Sequence, residues 1–269
     1  MSIVSKTLTK HTIISIRERK NNAPIVMMTA YDALFASLFA PHVDMLLVGD
    51  SLLMSFGGQN DTLGATMDTM LYHTKAVCKG APDALVVLDM PFGSYITPQI
   101  GLANATRVYQ ETGASAVKIE GGKERAALIS HLTCNGIAVM GHIGLLPQNV
   151  RAEGGYKVKG KDPSQETKLI EDAKALEEAG VFCMVIEGVV AEVATKVAQS
   201  VTVPLIGIGA GNGVDGQVLV WSDAFGFFKD FKPRFVKRYL EGASLIEEAV
   251  ATYAHEVKTR QFPDATTSY

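Results

Sequence analysis

Eight short apolar runs recur along the chain, at positions 24–29, 45–49, 85–89, 116–120, 137–142, 182–187, 204–209 and 217–221. They are rich in Val, Ile, Leu and Met and apolar on both faces rather than alternating. That is the pattern of strands buried on both sides of a parallel sheet. Longer stretches with helical signals lie between them. Thr97 before Pro98 fits an N-cap and first helical position, with Gly113 as the stop. Asp162 and Pro163 open another helix, in which Leu169, Ala173, Leu176 and Ala179 share a face before Gly180 ends it. Thr66 and Gly80 bracket a third.

Strand followed by helix, about eight times in roughly 220 residues, predicts a (β/α)8 TIM barrel. A doubly wound open sheet is the competing α/β arrangement. No stretch reads as a linker, so residues 1–269 are expected to form one domain. Residues 1–23 would be an N-terminal helical extension, and 233–269 C-terminal helices with a polar tail. The connection 143–161 stands apart, with little periodicity, several glycines and the lysines Lys157, Lys159 and Lys161. Such a segment is expected to be either a lid or a plain surface loop.

Composition narrows the class. A hydrophobic fraction of 47% is enough for a sizeable core, and a net charge of -3 without a long basic run gives no reason to expect nucleic acid or an anionic membrane. No apolar run is long enough to span a bilayer, and the first 20 residues lack the continuous apolar core of a secretion signal. Cys78, Cys134 and Cys183 form neither a zinc spacing nor a disulfide framework, and all three are expected to be buried packing residues. A cytoplasmic protein is expected.

In a barrel of this kind, reactive groups gather at the C-terminal ends of the strands. Those ends present Asp50 and Ser51, then Asp89, then Lys118 and Glu120, then His142, then Glu187. One charge at a strand end needs no more than a loop cap or a surface ion pair to explain it. Strand after strand ending in charge points to a shared site. Asp50 and Asp89 come from different runs and can converge on one cation, and two carboxylates with waters and substrate oxygens are an ordinary magnesium shell. No His-rich spacing suggests zinc. Lys118 and Glu120 lie two apart and so point to the same side of a strand. Beside a metal, such a pair would bind a substrate carboxylate and hold the metal's waters. Gly207, Gly209, Gly211 and Gly213 suggest a nucleotide loop, but Asn212 stands where the dinucleotide fingerprint needs Gly or Ala. Close backbone approach at a strand end is the favoured reading there.

Several short motifs follow one another along nearly the whole chain. They are TAYD at 29–32, LVGDS at 47–51, YHT at 72–74, DMPF at 89–92, VKIEGG at 117–122, GHIGLLPQ at 141–148, GGYKVKG at 154–160, GIGAG at 207–211 and SDAFG at 222–226. In order and spacing this set resembles the ketopantoate (3-methyl-2-oxobutanoate) hydroxymethyltransferase family. The resemblance implies a magnesium-dependent barrel enzyme of pantothenate synthesis. It would transfer a one-carbon unit from 5,10-methylenetetrahydrofolate to 3-methyl-2-oxobutanoate, giving 2-dehydropantoate. By position, Asp50 and Asp89 match metal-binding aspartates and Glu120 a carboxylate of the metal shell. Asp50, Ser51, Asp89 and Lys118 match substrate-contacting positions, and Glu187 matches the catalytic base. The family also implies a homo-oligomer, commonly a decamer.

The chain departs from the family pattern at Leu53, Gln59 and Gly64. These fall in the loop after the second run and put its shape and its folate contacts in doubt, not the metal or base positions. The chemistry expected is a 2-oxo acid chelated by magnesium and supported by Lys118. Glu187 would remove the C3 proton, and the magnesium-stabilised enolate would attack the folate-borne methylene. His142 is the accessory candidate for the base. The rival readings are a barrel carbon–carbon lyase or phosphonomutase using the same metal–enolate logic without folate, and a catalytically silent barrel serving in assembly.

Overall fold

A computed structural model describes residues 11–230 and 232–269. The chain forms two compact units, Met1–Val220 and Trp221–Tyr269. In the first, strands β1 (Ile25–Thr29), β2 (Met45–Val48), β3 (Leu85–Asp89), β4 (Ala116–Glu120), β5 (Val139–Gly144), β6 (Cys183–Glu187), β7 (Leu205–Ile208) and β8 (Gly216–Leu219) pair in sequence order. All neighbours are parallel, and β8 returns to β1, so the sheet is a closed barrel. An open doubly wound sheet is thereby excluded. Each of the eight apolar runs became a strand. Trp221 is the exception at an end: it leaves the sheet and begins a short helix of the second unit.

The first unit carries helices α1 (Ile13–Arg17), α2 (Ala33–Phe39), α3 (Leu52–Ser55), α4 (Met67–Gly80), α5 (Pro98–Glu111), α6 (Ala126–Cys134), α7 (Val150–Glu153), α8 (Pro163–Glu178) and α9 (Ala191–Gln199). Of the expected N-terminal extension, residues 1–10 lie outside the described residues, and α1 occupies part of the remainder. The start signals act as expected: the side chains of Thr66, Thr97 and Asp162 accept from the backbone N–H of Thr69, Ile100 and Gln165. Each satisfies one of the orphan donors of a helix start, worth about 1 kcal/mol. The stops are mixed. Gly180 takes a positive φ of 94° after α8, whereas α5 ends in an extended Thr112 and needs no left-handed Gly113. Gly80 serves packing instead, since a Cβ there would stand 2.1 Å from the carbonyl oxygen of Ala33.

The barrel interior is filled by Ile25, Met27, Met45, Leu47, Leu85, Val87, Met140, Val185 and Ile206 among others, and Ile16 of α1 joins the same cluster. Of the cysteines, Cys183 is buried in this core, Cys78 is half-buried, and Cys134 is exposed, which corrects the expectation that all three are buried. Leu128, Ile129 and Leu132 form the buried face of α6, and Cys134, two residues beyond Leu132, points away from it. The second unit holds α10 (Trp221–Ala224) and α11 (Gly242–Lys258). Within it, Trp221 packs edge-on against Phe227. Among the described residues, no helix is long and apolar enough to cross a membrane.

Candidate active site

Strand register brings the predicted charges together. Asp89 on β3 lies opposite Lys118 on β4, and Glu120 on β4 opposite His142 on β5. Glu187 ends β6 opposite Gly144. Asp50, Asp89, Lys118, Glu120 and His142 are all buried, although charged side chains are almost never so buried unless paired.

The contacts form one network. Lys118 Nζ lies 2.7 Å from Asp89 Oδ1 and 3.9 Å from Glu120 Oε1. It also lies 2.9 Å from His142 Nδ1. An ammonium has no acceptor, so Nδ1 must accept, and the proton of a neutral His142 ring is thereby assigned to Nε2. That Nε2 is 3.3 Å from Glu187 Oε2, close enough for electrostatic contact but not completing a hydrogen bond. On the other side, the Asp50 N–H stands 3.4 Å from Asp89 Oδ2, and Gln148 Nε2 donates to Asp50 Oδ2 at 2.9 Å. Ser51 Oγ is 2.8 Å from Tyr31 OH. Each residue of the expected site is thus in this cluster or beside it.

Burial sets the protonation tendencies. Burial and the nearby Asp89 push the Asp50 carboxyl up to about 7, against the pull of Lys118. Burial likewise raises Glu120 well above the usual carboxylate range. Burial on its own would lower Lys118, but Asp89, Glu120 and Asp50 together outweigh it and hold the ammonium charged. Burial and Lys118 drive His142 well below its ordinary value, so the ring is neutral. Glu187 is raised by burial to about 7 while its side chain keeps 21% of its surface open. A neutral His142 engaged by Lys118 has no free lone pair for a substrate proton. Glu187 does.

Among the described residues, no group of three or more His, Cys, Asp or Glu is arranged as a closed metal cage. Glu120 lies beside Lys118 and His142, with Oε2 taken by the Gln148 N–H at 3.0 Å and Oε1 without a hydrogen-bond partner. Asp50, two residues past β2, and Asp89, the last residue of β3, offer a pair of hard carboxylates beside it. That donor set suits magnesium, which commonly takes one or two carboxylates and fills its other positions with water and substrate oxygens.

The connection 143–161 is ordered where it meets the site. β5 extends to Gly144, a 3-10 turn spans Pro147–Asn149, and α7 follows. Leu145 N–H is pinned to Glu187 O at 2.8 Å. Of its lysines, Lys157 donates to Glu153 O and Lys159 pairs with the Glu153 carboxylate, so two of the three are engaged within the segment. The departures after β2 prove to be linked: a Cβ at Gly64 would stand 2.4 Å from Gln59 Oε1, so the lack of a side chain at one position makes room for the amide at the other. The glycines after β7 act by close approach, as a Cβ at Gly211 would stand 2.5 Å from Ala191 Cβ. A cavity of about 560 Å³ opens at the opposite end of the barrel, between α1 and the starts of β5 and β6. Its lining joins the apolar Ile13, Ile14, Ile137 and Phe182 to Arg17 and Glu18, away from the charged cluster at the strand ends.

The profile described as ketopantoate hydroxymethyltransferase matches residues 10–265. The chain belongs to the ketopantoate hydroxymethyltransferase family. The 3-methyl-2-oxobutanoate hydroxymethyltransferase of Wolinella succinogenes is 64% identical over 96% of this chain and 98% of its own. That of Helicobacter pylori is 54% identical over the full length of both. The chain is therefore an enzyme of the hydroxymethyltransferase class. Among solved structures, a putative phosphonomutase from Burkholderia cenocepacia superposes with a TM-score of 0.62 at 15% identity, over 93% of this chain and 100% of that one. The 2,3-dimethylmalate lyase, a PEP mutase/isocitrate lyase superfamily member, gives 0.58 at 17% over 94% and 88%. At such identities the likeness is one of fold.

Two residues were not singled out from sequence: Gln148, in direct contact with the cluster, and Tyr95, which reaches it through Gln148. Gln148 and Tyr95 are both buried, and Tyr95 OH donates to Gln148 Oε1. Gln148 ends one of the family motifs, but nothing in its spacing or neighbours marks it as part of a site.

Proposed function

We propose that the chain transfers a hydroxymethyl group from 5,10-methylenetetrahydrofolate to 3-methyl-2-oxobutanoate, giving 2-dehydropantoate, as a step of pantothenate biosynthesis. The observation that carries the reading is the buried cluster in which Asp50, Asp89 and Glu120 face the single ammonium of Lys118. Buried carboxylates in excess of cations are costly, and a divalent cation held by Asp50 and Asp89 restores the balance. When bound there, magnesium supplies Lewis-acid stabilisation for the negative charge that develops on the keto oxygen of a 2-oxo acid.

The chain's own groups do the rest. Lys118 meets the substrate's negative charge, with Asp89 and Glu120 keeping it protonated. His142, its Nδ1 held by Lys118, places its Nε2 3.3 Å from Glu187 Oε2. Glu187 takes the C3 proton, and the carbon so freed attacks the methylene carried by the folate. One water is consumed, its oxygen becoming the product hydroxyl; both bonds from the methylene to the folate nitrogens break, and the C3 proton and the remaining water proton end on those two nitrogens. A carboxyl raised to about 7 is matched to this work, since a base is most effective when its pKa lies near the working pH.

The test is turnover with 3-methyl-2-oxobutanoate, methylenetetrahydrofolate and magnesium, omitting each in turn. Product should require all three. Turnover without folate, or cleavage of a larger hydroxy acid, would favour the lyase or phosphonomutase reading, and no turnover at all would favour the silent barrel.

The enzyme is proposed to work in the cytoplasm, which its three free cysteines support. It is also proposed to be a homo-oligomer. Ile246, Val250, Tyr253 and Val257 form an exposed apolar stripe along α11, at spacings that keep one helix face. Such a stripe is the usual sign of an interaction surface. Placing Glu at both Ile246 and Val250 should lower the particle mass measured by light scattering. An unchanged oligomer would remove α11 from the interface, and a monomeric parent would remove the oligomer.

A further inference from the structure

Oxygen acceptors from the ends of three strands converge on one residue of the segment after β5. Gln148 Nε2 donates to Asp50 Oδ2 at 2.9 Å and to Met90 O at 3.0 Å. Its Oε1 accepts from Tyr95 OH. The orientation of the amide is chemically forced, because the Met90 carbonyl can only accept. The backbone N–H of the same residue donates to Glu120 Oε2 at 3.0 Å. Gln148 therefore takes one oxygen of Asp50, just past β2, and one of Glu120 on β4. Glu120 Oε1 is left without a hydrogen-bond partner, 3.9 Å from Lys118 Nζ and 3.6 Å from His142 Nδ1.

A second layer holds Gln148 in turn. Tyr95 is buried, and the Arg125 guanidinium lies over its ring, 5.2 Å from the centroid. Pro147 begins the 3-10 turn that presents the Gln148 N–H. An acid at this position would set a fourth carboxylate into the cluster, against Asp50 Oδ2 and the Met90 carbonyl, which accounts for an amide of the same shape.

We propose that Gln148 is a positioning residue for the divalent cation, fixing Asp50 through its amide and Glu120 through its backbone, with Tyr95 fixing Gln148. The proposal rests on the reading that Asp50 and Asp89 hold the cation. Groups that orient a metal ligand typically contribute about 10- to 100-fold in metal affinity or activity. The arrangement also ties the segment after β5 to the metal site, so that the segment's order and metal affinity rise and fall together.

The test is isothermal titration of Mg2+ into the intact protein with 3-methyl-2-oxobutanoate present, for the parent, Gln148→Met, Tyr95→Phe and Asp50→Ala. Gln148→Met keeps length and burial and retains the backbone contact to Glu120, but loses both amide donors. Its Kd for Mg2+ should rise about 10- to 100-fold, beside some fall in the melting temperature of the metal-free protein as the buried Tyr95 hydroxyl and Met90 carbonyl lose their partner. A role in packing alone would move the melting temperature and not the affinity. Tyr95→Phe removes only the hydroxyl that orders the amide and should weaken Mg2+ by a smaller factor. Affinity within about twofold of the parent in a folded Gln148→Met would overturn the proposal. If that variant does not fold, the same result in Tyr95→Phe overturns it. If Asp50→Ala loses Mg2+ and Gln148→Met does not, the positioning role fails alone. If the parent takes up no Mg2+, the metal reading fails and this proposal with it.

Discussion

Asp50→Ala and Asp89→Ala are each expected to abolish magnesium-dependent transfer, with kcat falling by about three orders of magnitude or more. Lewis-acid stabilisation of a developing charge is worth several kcal/mol, and each ~1.4 kcal/mol is tenfold in rate. Mg2+ affinity should fall in both variants. Their stabilities should differ, and this separates the two carboxylates. Asp89 is the close partner of Lys118, at 2.7 Å. Removing it leaves a buried ammonium short of charge, a loss of roughly 3–5 kcal/mol where a buried pair is broken. Asp50 is a carboxyl that burial and Asp89 already push up to about 7, so its loss relieves a repulsion in the metal-free protein. Asp89→Ala should therefore melt well below the parent in metal-free buffer, and Asp50→Ala close to it. Wild-type Mg2+ affinity in both folded variants would remove the aspartates from the metal site.

The barrel was legible because its strands are covered on both faces. Runs such as 85–89 and 116–120 are buried at every position and read as continuous apolar segments. The charges that interrupt this rule, Asp89, Lys118 and Glu120, were legible for the same reason: nothing but a shared site explains a buried strand ending in charge. Trp221 was misread because its apolar character serves the packing of the second unit rather than the sheet. Cys134 was misread from composition alone, as its exposure depends on which face of α6 it occupies.

Gln148 was out of reach for a different reason. Its partners Asp50 and Met90 lie 98 and 58 residues away in sequence, so no local pattern of spacing or hydropathy marks the contact. The site also hides its polarity, since Gln148 follows the apolar Leu145 and Leu146 in a segment that reads as a surface connection. The structure shows instead that its first residues close over the strand ends. The lysines that suggested an anion site are in part accounted for within the segment, by Glu153.

Glu187→Gln carries the second large effect, because it removes the base while keeping its shape. With magnesium and 3-methyl-2-oxobutanoate in deuterated water, the parent should exchange the C3 hydrogen without any methylene donor. Its exchange rate should rise with pH through about 7, where Glu187 ionises. Folding is not the concern in this variant. A carboxyl whose folded-state pKa is raised above its ordinary 4.5 keeps a proton in the folded chain that the unfolded chain releases. Its contribution is therefore fully favourable below about 4.5 and is lost as pH rises towards about 7. Glu187→Gln has no such loss, so in alkaline buffer it should melt at or above the parent, and the difference should shrink as the pH is lowered.

The most direct test of the account is thus C3 hydrogen–deuterium exchange, followed by proton NMR, in the parent and in folded Glu187→Gln. The predicted result is a fall of roughly two to four orders of magnitude in the exchange rate, with transfer falling in parallel. Exchange at the parent's rate in the variant would contradict it and remove Glu187 as the base.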